Sequence, residues 1–400
     1  MSTTIDRMPV QPAASASAPV VATPKPRVVF LDVVRGLAAL LVFFEHTAEE
    51  ISHFSDKNWP YMFWSFRWFN FGRLGVAAFF LVSGFVIPYS LERAKSLRVF
   101  WVSRVFRLYP IFWFSILIVF AYHLAGNDAM MHDYLPHWRT TLLVNATMLE
   151  EFLGYHHAIT VYWTLTLELV FYVIFSLMYV LGVNQRTLLF GWLSAGALLA
   201  AGAIEAATHR KLPVGHIALL ALAFLGTAAF RFHGGLMTLR QLWLLTLGMV
   251  AGMALAFFFG FRGPYQTTDA YQEWSWFAML GSYVAGMALF GVIFALRGRS
   301  FPFALRWLGA ISYSFYLLHY PCWLALMWVP HHGLVSAPLW QSLVLALVTA
   351  LSSITYLMIE KPMVELGKRM LGRPKPVTEL GNPISVTTPA GPVSMIAKAS

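Results

Sequence analysis

Arg35 and His46 stand eleven positions apart within LDVVRGLAALLVFFEHTAEE, residues 31–50, a stretch otherwise apolar enough to enter a bilayer. At ~3.6 residues per turn that spacing puts both side chains on nearly one helical face, ~16 Å apart along the axis. A charge in hydrocarbon costs at least ~2.5–3.5 kcal/mol on insertion scales, so such groups face a partner or a water-filled cavity. One face thus presents a guanidinium at one depth and an imidazole at another, which suits a reaction whose two substrates arrive from opposite sides. An imidazole with its ordinary pKa near ~6.5 can take a proton from a hydroxyl near neutral pH. Taken singly, Arg35 also fits a snorkelling anchor and His46 an interfacial residue.

Further along, Glu168 in VYWTLTLELVFY, residues 161–172, falls roughly 12 Å into a span by helical rise, behind Trp163. A carboxylate there needs a cation, a hydrogen-bond partner or a proton. In SRVFRLYP, residues 103–110, Arg104 and Arg107 share a face, with Arg98 close before them. Guanidinium forks suit phosphate, although basic residues also anchor cytoplasmic span ends. In ISYSFYLLHYP, residues 311–321, Tyr316 and His319 share a face, and an interhelical hydrogen bond is an equal reading of His319. Counted inward, His46, Glu168 and His319 fall in the outer half of the membrane, and Arg35, Arg104 and Arg107 in the inner half. The stretch 126–159 holds four histidines beside Asp128, Asp133, Glu150 and Glu151. Their spacing matches no compact ligand set, so no metal is expected.

The elements that must position these groups are helices in a bilayer. Of 400 residues, 58% are hydrophobic and 12% charged, where a soluble domain carries about 25%. Spans are expected at 29–48, 73–90, 102–125, 160–182, 187–207, 213–230, 239–260, 276–296, 304–328 and 337–359. The fold class is all-α, a polytopic transmembrane bundle of about ten spans. Residues 1–28 form an expected disordered lead, 29–362 the membrane domain, and 363–400 a basic and then disordered tail. Alternate loops carry Arg93, Lys95, Arg98, Arg104, Arg186, Arg231, Arg240, Arg297 and Arg299, and the others are the more acidic, Arg210 and Lys211 excepted. That asymmetry predicts both termini in the cytoplasm and explains the net charge of +10 without nucleic acid. Gly75, Ala77, Ala78, Ser83 and Gly84 in the second span are expected to pack helices closely.

In this order the motifs resemble the integral-membrane acyltransferase-3 family, whose members include polysaccharide, lipopolysaccharide and antibiotic-sugar O-acyltransferases. Arg35 and His46 match its Arg-ten residues-His motif, and Phe79 to Phe85 its FFxxSGF pattern. Arg104, Arg107 and Tyr109-Pro110 match RxxRxxP, and Trp163 with Glu168 match WSLxxE, Thr164 standing where Ser is usual. Ser312 to His319 match SYxxYLxH, and Glu360-Lys361-Pro362 the closing turn.

The resemblance implies transfer of an acyl group, usually acetyl, from cytosolic acyl-CoA to a hydroxyl of a glycan or lipid-linked sugar. Acyl-CoA is then a co-substrate, and no bound cofactor is expected. The protein would reside in the inner (plasma) membrane as a multi-pass protein. His46 is the expected base, Arg35 the group that binds donor or steadies an oxyanion, and Glu168 or Glu45 the carboxylate that orients His46. Arg104, Arg107 and Arg98 would hold CoA phosphates, with Trp163, Tyr316 and His319 in support. A rival from another class is a transporter or flippase of a glycolipid or organic anion, since intramembrane charges mark such pathways too.

Overall fold

In the computed structural model the described residues are 28–54, 68–94, 96–128, 130, 132–261, 275–327 and 337–372. The expected lead lies outside them but for residue 28, and so does the expected tail from residue 373 on. The described residues form helices and connecting turns, with no strand among them.

The ten expected spans are all helical. They are α1 (Val29–Phe54), α2 (Phe71–Ala94) and α3 (Leu97–Leu124). After the short α4 (Trp138–Asn145) and α5 (Glu150–Leu153) come α6 (Trp163–Val180), α7 (Thr187–Thr208) and α8 (Val214–His233). Then follow α9 (Leu239–Gly260), α10 (Trp276–Ala295), α11 (Phe303–Met327), α12 (Ala337–Thr355) and α13 (Lys361–Met370). Eight helical runs among the described residues are long and apolar enough to cross a membrane, α12 and α13 counting as one run. The chain is a multi-pass membrane protein. The two expected spans outside that set are α1 and α11, of 26 and 25 residues. Length is not what sets them apart. Asp32, Arg35 and Glu45 interrupt α1, and Ser312, Tyr313, Tyr316 and His319 dilute α11.

The chain divides into two compact units. The first comprises residues 1–85, 186–316 and 336–341, and the second 86–185, 317–335 and 342–400.

In the first unit, helices meet where side chains vanish. A Cβ built on Gly309 of α11 would lie 1.9 Å from the Asp32 carbonyl oxygen of α1. One on Gly84 of α2 would lie 1.8 Å from the Ala223 oxygen of α8, and one on Gly75 2.5 Å from the Ala38 oxygen. Lipid tails are as apolar as the helices, so close backbone packing and interhelical hydrogen bonds must supply the association. Thr227 Oγ1 adds one such bond, donating to the Gly84 carbonyl at 2.9 Å. Of the small residues expected to pack the second span, Gly75 and Gly84 do so, and Ala77 and Ala78 lie against Gly286 of α10. Phe30 closes one end of α1 through edge-on contacts with Phe85, Phe290 and Phe294 at 5.5–6.4 Å.

In the second unit, α3 is tied to the turn before α6. The Ser115 and Tyr162 hydroxyls lie 2.6 Å apart, and the Tyr162 ring sits 4.5 Å from Phe112. Tyr162 is fully buried. The expected loop 126–159 is a packed segment. Asn145 Nδ2 donates to the carbonyls of Thr141 and His156, and its Oδ1 accepts from Ala158 N. Trp113 and Tyr109 of α3 donate to the carbonyls of Ala146 and Thr147. One buried amide thus replaces a helical ladder, a pattern that hydrophobic periodicity does not reveal. Before Pro362 the backbone widens into a π-turn over Tyr356–Glu360. A proline in a helix lacks an N–H and crowds the carbonyl four residues back, and a wider turn relieves both.

Candidate functional site

The polar groups of α1 are arranged by the helix itself. Arg35 Nη2 pairs with Asp32 Oδ1 at 3.1 Å, one turn earlier. Asp32 is buried and Arg35 retains partial exposure, so the carboxylate holds the guanidinium without burying it. Toward the other end, His46 Nδ1 lies 3.5 Å from Glu49 Oε2, again at i,i+3. Glu49 thus faces the Nδ1 edge of the imidazole. The sequence reading passed over Glu49, although its spacing from His46 was a usable signal.

Glu45 has another task. Its Oε1 accepts from Asn70 Nδ2 at 2.7 Å and its Oε2 from the backbone N–H of Phe71 at 3.0 Å. Asn70 Oδ1 in turn accepts from Arg73 N at 2.6 Å, and Asn70 N donates to Ser282 Oγ at 2.7 Å. Glu45 and Asn70 together satisfy the first amides of α2, where a negative charge is favourable. This locks α1 to α2 beside His46. Asn70 and Ser282 were not foreseen, because they are 212 positions apart. Thr47 accepts from Gln341 Nε2 at 2.9 Å on the next turn of α1. Tyr316 is buried against Phe79, with ring centroids 5.6 Å apart.

The second unit holds the other candidates. Arg104 is buried, its guanidinium 5.4 Å from the Phe100 ring centroid and 5.5 Å from that of Tyr172. The Tyr172 hydroxyl donates to Glu168 Oε1 at 2.6 Å. A cation, two ring faces and a carboxylate bound through a phenol thus form one cluster across α3 and α6. Tyr172, four residues after Glu168, was another missed partner at readable helical spacing. Arg107 is half-buried and Arg98 exposed, so these two are the more accessible of the three arginines. His319 is buried and Trp163 half-buried. Cys322 is buried as well.

In the packed segment between α3 and α6, His157 bridges two carboxylates. Its Nδ1 lies 3.1 Å from Glu150 Oε1 and its Nε2 2.7 Å from Glu151 Oε2. Desolvation alone would depress this imidazole, but the hydrogen bonds and charges of Glu150 and Glu151 outweigh it and raise its pKa above the ordinary value. Among the described residues no group of three or more metal-ligating side chains is placed to hold an ion.

Among curated proteins, the chain is 30% identical over 184 residues to "Nodulation protein 10" of Rhizobium leguminosarum bv. viciae, covering 42% of this chain and 47% of that protein. It is 31% identical over 182 residues to "Acyltransferase MdmB" of Streptomyces mycarofaciens, covering 43% and 45%. The chain thus spans about half the length of the curated relatives it matches. No solved structure matches it. A family model described as "Acyltransferase domain" matches residues 28–358, almost all of the helical region, and the chain belongs to that acyltransferase-3 family.

Proposed function

We propose that the protein is a membrane O-acyltransferase that moves an acyl group, acetyl in the first instance, from cytosolic acyl-CoA to a hydroxyl of a glycan or lipid-linked sugar. The observation that carries this reading is the α1 arrangement, His46 with Glu49 against its Nδ1, on one helical face with Arg35. Membership of the acyltransferase-3 family supports the reaction class.

His46 Nε2 takes the proton of the acceptor hydroxyl as its oxygen attacks the thioester carbonyl. Glu49 stabilises the imidazolium that forms. The carbonyl oxygen gains negative charge in this step; Arg35, ~16 Å from His46 along α1, is too distant to meet it and holds the donor instead. Collapse expels the CoA thiolate, which takes up the proton that His46 received. The products are an ester and free CoA, and His46 returns to its starting state. The cytosolic phosphates of the donor fall to Arg107 and Arg98, with Arg104 behind them.

Purified protein in detergent, given acetyl-CoA and a glycan acceptor, releases free CoA at a rate that depends on the acceptor. Uptake of the glycan into liposomes with the thioester intact overturns the reading in favour of a transporter. The same reading places both termini in the cytoplasm of a plasma-membrane protein. Reporters fused after residues 70 and 145 then report outside, and fusions after residue 97 and at the C-terminus report inside.

A further inference from the structure

The first unit contains a cavity of about 530 Å³, within the usual size of a small-ligand site, that none of the family motifs touches. Arg297, Arg299 and Ser300 from the turn after α10, Arg306 from α11, and His233 from the end of α8 contribute to its wall. Phe301 and the start of α1 complete it. No carboxylate lines it, and these three arginines make no ion pair among the described residues.

Arg297 has a structural role. Its Nη1 donates to the Phe294 carbonyl at 3.0 Å, and its guanidinium lies 4.5 Å from the Phe294 ring centroid, as suits a cation at a helix C-terminus. Arg306 has no such account. It stands in the first turn of α11, where the helix dipole disfavours a cation. Arg299 and Arg306 are exposed, and three like charges around one cavity repel unless an anion joins them.

We infer that this cavity binds a phosphate-ester anion, held by the guanidinium forks of Arg299 and Arg306 with Arg297 and Ser300 beside them. Under the acyl-CoA reading above, on which this assignment rests, the anion is a phosphate group of the donor nucleotide other than those given to Arg107 and Arg98. The same chemistry is offered by an acidic phospholipid headgroup.

The test measures binding of CoA to full-length protein in detergent, and of phosphatidylglycerol in mixed micelles, for wild type, Arg299→Ala, Arg306→Ala and the Lys variants. Both arginines are exposed, so the Ala variants fold, as their melting temperatures verify. A rise in the CoA Kd of about tenfold in each, partly rescued by Lys, with lipid binding unchanged, establishes the donor as ligand. Loss of phosphatidylglycerol binding with an unchanged CoA Kd establishes the same phosphate site with lipid as its source. If neither ligand responds, the proposal is overturned. Wild-type protein that binds CoA here yet releases none from acetyl-CoA leaves the site standing and removes the acyl-transfer reading instead.

Discussion

Two regions carry charge into the apolar part of the chain, and they treat it differently. On α1, Arg35 pairs with Asp32 and His46 with Glu49 along the helix while Glu45 reaches across to α2, and Arg35 and His46 keep partial exposure. On α3, Arg104 is buried between Phe100 and Tyr172, and the Tyr172 hydroxyl binds Glu168 on α6. A pair within one helix stabilises by only ~0.2–0.5 kcal/mol, so it orients groups without gluing helices together. A buried cation held across two helices is costly to disturb, because removing one partner strands the other. The α1 pairs therefore leave Arg35 and His46 partly exposed, and the Arg104 cluster holds α3 against α6.

The sharpest way to break this contrast is at His46. His46→Ala is expected to fold and to bind acetyl-CoA, yet to transfer ~10²–10⁴-fold more slowly, the usual size of a lost general base. His46→Gln should be nearly as slow, since an amide cannot take the proton. Substantial transfer by His46→Gln would move the base elsewhere, to Glu168 or His319.

Arg104 tests the opposite side. Arg104→Ala is expected to cost about 3 kcal/mol of stability, read as a melting temperature lower by several degrees in detergent. His46→Ala should leave the melting temperature within a degree or two. Equal losses in the two variants would erase the distinction.

Arg107, half-buried on the same helix, should divide from Arg104 in turn. Arg107→Ala is expected to raise the acyl-CoA KM by about tenfold and the acceptor KM far less, with partial rescue by Lys. An unchanged acyl-CoA KM in folded protein would make Arg107 a topological anchor.

The smallest effect is expected at His157, which pairs across a loop rather than along a span. Its pKa is raised in the fold, so protonated His157 contributes stability that is fully present below the unfolded value near ~6.5. That contribution is lost as pH rises through the higher folded value. Hydrogen exchange in residues 138–160 should speed up across that window in the wild type. In Glu150→Gln the pH dependence should flatten, and an unchanged profile there would show that the bridge contributes nothing.

What the sequence determined by itself is what lies within one helix or one charge pattern. Ten apolar runs became ten helices, since each is long enough to satisfy its own backbone in lipid. The shared face of Arg35 and His46 follows from the helical period, and by the same period Glu49 and Tyr172 lay within reach of a stricter reading. Tertiary structure alone decided the rest. Glu45 spends its carboxylate on Asn70 and Phe71, and Asn70 reaches Ser282. Arg104 turns inward to Tyr172, and Arg297, Arg299 and Arg306 surround a cavity. In the sequence Arg104 reads as a phosphate fork, and Arg297 and Arg299 only as bases of an inner loop. The physical reason is that contacts between helices depend on where backbones can approach, as at Gly309 on Asp32 and Gly84 on Ala223. Those crossings set the rotation of each helix against its neighbours, which no periodicity within a single helix encodes.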